Sequence, residues 1–151
     1  MIEQTRNESG LPTRKLGRSG LEVSILGFGG GHFCRRHLSQ SDSVRLVRRA
    51  VDEGVSFFDN AWEYHGGESE RRMGIALAGI RDRVTLMTKV CARDRVGATA
   101  QLDESLTRLK TDHVDVWQFH EINYENDADW ISGVDGALEA AERVEARAQV
   151  H

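Results

Sequence analysis

Short, nearly continuous apolar runs alternate four times with segments whose apolar residues recur at helical spacing. Ser24 to Gly31, Val55-Ser56-Phe57-Phe58, Val84-Thr85-Leu86-Met87-Thr88 and Val114-Asp115-Val116-Trp117-Gln118-Phe119 read as strands. Between them, Ser41 or Asp42 caps a helix running to about Glu53, with Val44, Val47 and Val51 on one face and Gly54 as its stop. Glu68 to Leu77 forms a second helix, carrying Met73, Ala76 and Leu77, and Gly79 closes it. Ala98 to Leu109 forms a third with Leu102, Leu106 and Leu109 in register, and Gly136 to about Ala148 a fourth. Strands that are apolar on both faces are buried on both faces, which means a parallel sheet covered by helices. Right-handed crossovers leave a doubly wound sheet or a (β/α) barrel, and periodicity does not choose between them.

Upstream, Arg18-Ser19-Gly20 is a turn, so Thr13 to Val23 reads as a β-hairpin. Residues 1–12, with the single proline Pro12, are expected as a flexible polar tail, leaving 13–151 as the folded domain. A net charge of −4 and a pI near 5.9 argue against a nucleic-acid binder. No apolar run reaches a membrane span of about 18 residues, and the polar opening gives no secretory signal. Two cysteines, Cys34 and Cys91, make no disulfide framework, so a cytoplasmic location is expected.

Three titratable residues end successive strands: Asp59 after Phe58, Lys89 after Thr88, and His120 after Phe119. Tyr64 follows in the loop after Asp59. Both candidate folds build their sites at the carboxyl ends of strands, so four side chains face one rim. Each alone has a plainer reading: a turn cap for Asp59, a snorkelling Lys89, a packing Tyr64, a satisfied core His120. Together they suit carbonyl reduction. A tyrosine with a pKa of about 10 is a weak acid at neutral pH, and a nearby ammonium favours its phenolate. Lys89, held by Asp59, supplies that ammonium, and His120 orients the carbonyl oxygen. Positioned proton transfer of this kind is worth roughly 10²–10⁴-fold. No side chain carries hydride, so a nicotinamide cofactor is required.

The stretch Asp59-Asn60-Ala61-Trp62-Glu63-Tyr64 resembles the Asp-x-Ala-x-x-Tyr signature of the aldo-keto reductases. Gly67-Glu68-Ser69-Glu70-Arg71-Arg72-Met73-Gly74, Thr88-Lys89-Val90 and the segment from Ser105-Leu106 to Phe119-His120 are similar to further family segments, as is Lys15 to Gly29. The resemblance covers residues 13–140. It implies a (β/α)8 TIM barrel with a hairpin plugging its bottom, of which this chain holds the first four βα units. It implies NADPH, less often NADH, as cofactor, without metal, and a small carbonyl compound as substrate. It implies Tyr64 as proton donor, Lys89 and Asp59 as its tuners and His120 as substrate orienter. Gly30, Gly31 and Asp59 are the implied cofactor contacts, the family's main cofactor grip coming from later strands.

Such a barrel typically needs about 250 residues, against 151 here. After Gly136-Ala137-Leu138-Glu139-Ala140 the family's usual continuation gives way to Arg143-Val144-Glu145-Ala146-Arg147-Ala148-Gln149-Val150-His151. The expectation is a truncated reductase, from a frameshift or premature stop. Its open sheet edges invite self-association or pairing with a C-terminal half. The rival reading is a non-catalytic cofactor-binding or interaction subunit, or an inactive fragment. A dinucleotide-binding turn at Gly27-Phe28-Gly29-Gly30-Gly31-His32 is weak because His32 takes the third glycine's place. His32, Cys34 and His37 lack a regularly spaced fourth ligand, and Arg35-Arg36 between them disfavour a cation, so no metal is expected there. Trp62 and Trp117 suit either an aromatic pocket or barrel packing.

Overall fold

The computed structural model describes residues 5–34 and 38–148. Strands β1 (Thr13–Lys15) and β2 (Glu22–Ser24) pair antiparallel, with Thr13 opposite Ser24. Four strands follow: β3 (Gly27–Gly29), β4 (Phe57–Asp59), β5 (Thr85–Val90) and β6 (Val116–Phe119). They run parallel and stand in the sheet in their sequence order. That order separates the two candidate folds. Right-handed crossovers that always step the same way put every helix on one face of the sheet. A doubly wound sheet has to reverse direction, and no reversal occurs among the described strands. The sheet is an arc of a (β/α)8 barrel.

The helices α1 (Gln40–Asp52), α2 (Glu68–Leu77) and α3 (Arg95–Leu109) join successive strands. Two more follow β6: α4 (Asp127–Ser132) and α5 (Ala137–Ala148). Sequence periodicity places these helices well and their starts less well. The cap of α1 is Ser39, not Ser41 or Asp42; its hydroxyl accepts from the Asp42 N–H at 3.1 Å. The carboxylate of Asp42 accepts from the same hydroxyl, which holds its pKa below the usual value. Asp94 caps α3, which starts at Arg95, three residues ahead of Ala98, and accepts from the Gly97 N–H at 2.8 Å. The short α4 is new.

Two other expectations change. The first parallel strand is three residues long, not Ser24 to Gly31. Ser24 belongs to the hairpin, and Ile25 and Leu26 are more than half exposed. Residues 5–12 do not trail as a loose tail. Arg6 bridges Pro12, the Thr13 N–H donates to the Thr5 carbonyl at 2.8 Å, and Asn7 Nδ2 donates to the Gly54 carbonyl at 2.7 Å. Residues 1–4 of that expected tail, and His37 of the considered metal trio, lie outside the described residues.

Strand alternation sorts the side chains into two layers. Phe58, Leu86, Thr88 and Val90 point at the helices and are almost fully buried. The main core joins Phe58 and Leu86 to Val47 and Val51 of α1, Met73, Ala76 and Leu77 of α2, and Leu109 of α3. Each large side chain there contributes about 1.5–3 kcal/mol through burial. A second, smaller core packs Val90, Trp117 and Phe119 against Ala98 of α3 and Ala137 and Ala140 of α5. The opposite layer, Phe57, Asp59, Met87, Lys89 and Gln118, faces the inside of the arc. No described helix is long and apolar enough to cross a membrane.

Candidate active site

The inner layer brings the four expected residues together at the carboxyl ends of the strands. Asp59 ends β4 and sits opposite Met87, so Lys89 is one pleat further along β5 on the same face. The Lys89 ammonium is nearly buried and pairs with the Asp59 carboxylate, which is about one-third exposed (36%). It also donates to the Asn60 carbonyl at 2.8 Å. A buried ammonium needs such partners, because burial without them opposes its charge. These partners fix the lysine side chain, its Nζ 5.1 Å from the centre of the Tyr64 ring.

Tyr64 opens a single tight turn, Tyr64–Gly67, whose residues His65, Gly66 and Gly67 all have positive φ (54°, 62° and 83°). Glycine suits two of these positions. A Cβ on Gly67 would stand 2.6 Å from the Arg108 guanidinium carbon, so the close approach also requires glycine. His65, the one non-glycine, is held there by contact of its Nε2 with the Gly31 carbonyl at 2.9 Å. The turn swings the Tyr64 ring against His120, centroids 5.5 Å apart at 79°. His120 is nearly buried (9% exposed), and its backbone N–H donates to the Val90 carbonyl at 2.8 Å, which extends the β5–β6 pairing by one residue.

Two residues that sequence reasoning missed complete the cluster. His120 Nδ1 lies 3.0 Å from a Glu63 carboxylate oxygen and 3.8 Å from Cys91 Sγ. Burial and the neighbouring Glu63 charge push the Cys91 thiol up to about 11, so it is protonated at neutral pH. Cys91 had a signal in the sequence: two residues beyond Lys89, it falls on the same strand face. Glu63, the exposed neighbour of Tyr64, had none.

The expected cofactor contacts divide. Gly30 is buried, its N–H donates to the Asp59 carbonyl at 2.6 Å, and its carbonyl accepts from Ser69 Oγ at 2.8 Å. A Cβ there would stand 2.8 Å from Asn60 and Ser69, so glycine at this position is a packing requirement. Gly31 is partly exposed, and a Cβ on it would lie 3.6 Å from the Tyr64 ring. Both tryptophans belong to packing. Trp62 donates its indole N–H to Glu104 at 2.9 Å with Arg108 over its ring, and Trp117 sits in the smaller core.

An arc of parallel strands, each followed by helix, gathers Asp, Tyr, Lys and His on its carboxyl rim, where barrel enzymes build their sites. The chain belongs to the aldo/keto reductase family, whose model matches residues 25–146. It is 34% identical over 123 residues to L-galactose dehydrogenase of Arabidopsis thaliana, covering 74% of this chain and 38% of that protein. It is also 34% identical over 119 residues to "Probable voltage-gated potassium channel subunit beta" of Oryza sativa subsp. japonica, covering 71% of this chain and 36% of that one. The structure of an aldo-keto reductase from Klebsiella pneumoniae in complex with NADPH superposes with a TM-score of 0.72 at 26% identity, covering 83% of this chain and 43% of that chain. The chain spans about two fifths of the length of the curated relatives it matches.

Proposed function

We propose that this chain carries the proton-handling residues of an NADPH-dependent aldehyde or ketone reductase, NADH being the alternative donor. The observation that carries the reading is the fixed Lys89 ammonium, tied to Asp59 and Asn60, beside a Tyr64 ring that also meets His120. Bound reduced nicotinamide supplies the hydride. The Tyr64 hydroxyl gives its proton to the developing alkoxide. The Lys89 ammonium stabilises the phenolate left behind, and Asp59 keeps that ammonium in place. His120 holds the carbonyl oxygen within reach of Tyr64. Gly31 and Asp59 would border the nicotinamide ring, and Gly30 keeps the loop beneath them packed.

The test is NADPH fluorescence titration of the chain, followed by carbonyl-dependent oxidation of NADPH. The expected result is binding by both wild type and Tyr64→Phe, with turnover falling roughly 10²–10⁴-fold in the variant. Wild-type turnover that survives Tyr64→Phe sinks the assignment. Binding without any wild-type turnover favours the second reading, a cofactor-binding subunit of a larger assembly, to which the similarity with the potassium channel subunit lends support.

A further inference from the structure

We propose that Glu63, Cys91 and His120 form a binding site for a divalent transition-metal ion of the zinc type. The three come from different elements: the loop after β4, the end of β5 and the end of β6. Yet one donor atom from each lies within 4.8 Å of the other two. Two of the three separations are near those of a coordination sphere. With bond lengths of about 2.3 Å to sulfur and about 2.0–2.1 Å to nitrogen and oxygen, tetrahedral zinc holds its S and N donors about 3.6 Å apart and its N and O donors about 3.3 Å apart. Here Cys91 Sγ and His120 Nδ1 stand 3.8 Å apart, and His120 Nδ1 and the Glu63 oxygen 3.0 Å. Cys91 Sγ and the Glu63 oxygen lie within 4.8 Å of each other, and a rotation of the exposed Glu63 side chain brings the third donor in.

The donor set has the matching chemistry. Thiolate, imidazole and carboxylate together suit zinc, whereas calcium and magnesium prefer oxygen alone. Three protein ligands leave a fourth position for water. The charges also balance, because a dication meets one thiolate and one carboxylate. The cations nearby are already committed: Lys89 pairs with Asp59, and Arg93 with Asp127 at 2.9 Å. Glu63 is exposed enough (43%) to give the ion a path from solvent. On binding, the Cys91 S–H bond breaks, its proton leaves to water, and a metal–sulfur bond forms in its place. The ion takes Nδ1 of His120 and so leaves the proton of the neutral ring on Nε2.

Titration of the 151-residue chain with Co²⁺, a coloured stand-in for zinc, tests this directly. The expected result is a near-ultraviolet thiolate-to-cobalt charge-transfer band with tetrahedral visible bands, both bleached by Zn²⁺. Cys91→Ser removes the charge-transfer band and Cys34→Ser keeps it. His120→Ala and Glu63→Gln each weaken binding about tenfold or more, in chains whose circular dichroism is unchanged. Absence of the band overturns the site, as does a band that survives Cys91→Ser, or undiminished affinity in both His120→Ala and Glu63→Gln. The readout is independent of NADPH and of turnover, so its outcome stands apart from that of the reductase reading.

Discussion

Adjacent residues of β5 hold a carboxylate on each side of the sheet, and the two carboxylates live differently. On the helix side, the Thr88 hydroxyl donates to Glu70 at 2.7 Å, and Arg108 reaches the same fully buried carboxylate at 3.3 Å. Arg108 also donates to the Trp62 carbonyl at 3.0 Å and to Glu104 at 2.6 Å, which ties α2, α3 and the Tyr64 loop together. On the inner side, Lys89 holds Asp59, which remains about one-third exposed. The buried carboxylate has each oxygen engaged by a protein donor. The inner one keeps part of its surface for something else. Opposite faces of one strand therefore separate fold maintenance from chemistry.

Glu70→Ala breaks the helix-side half. It leaves the mostly buried Arg108 guanidinium with only Glu104 and the Trp62 carbonyl, strips the Thr88 hydroxyl of its acceptor and opens a cavity, a combined loss of about 2 kcal/mol or more. Urea denaturation of the variant shows that loss, and an unchanged midpoint refutes the structural role. Asp59→Asn breaks the inner half. Asparagine keeps an acceptor for Nζ, the Asn60 carbonyl stays in place and water reaches the Asp59 side, so the stability lost is smaller than in Glu70→Ala. NADPH binding and turnover change instead; equal losses of stability in the two variants erase the contrast.

A third, smaller effect sharpens the comparison through pH. Asp127 accepts from the Tyr124 and Asn123 N–H groups, each at 2.9 Å, and from Arg93, which also donates to the His120 carbonyl at 2.7 Å. The Tyr124 N–H and then Arg93 hold its carboxyl below the ordinary value. A depressed folded-state pKa contributes stability above the unfolded value, about 3.9, and loses it as pH falls through the folded value. Asp127→Asn is therefore less stable than wild type at neutral pH, and the gap narrows in acid below about pH 4. Denaturation midpoints across that range check it; a gap independent of pH contradicts it.

The strand and helix pattern was legible because each buried strand carries an unbroken apolar run and each long helix a clear face. The four rim residues were legible because chain order alone puts strand ends on one side. Periodicity did not choose the barrel, since it holds no information on which direction a crossover steps; the resemblance of the Asp59–Tyr64, Lys89 and His120 segments to the aldo-keto reductases did. The short α4 was hidden too. Its six residues offer only Asp127 and Ile131 to the interior, with Trp130 more than half exposed. Asn7 looked like tail because its partner, Gly54, is distant in sequence. Glu63 and Cys91 escaped for the same reason: what joins them to His120 is the meeting of three strand ends.

The unbroken strand order also sets an order of assembly. Each strand pairs with one laid down roughly 30 residues earlier, so the sheet grows by adding similar loops to a standing edge, each at comparable entropic cost. The Asp59–Lys89 pair is in place once β5 docks. His120 arrives only with β6, when its N–H finds the Val90 carbonyl. The histidine's place thus depends on β6, whereas the ion pair needs only β4 and β5.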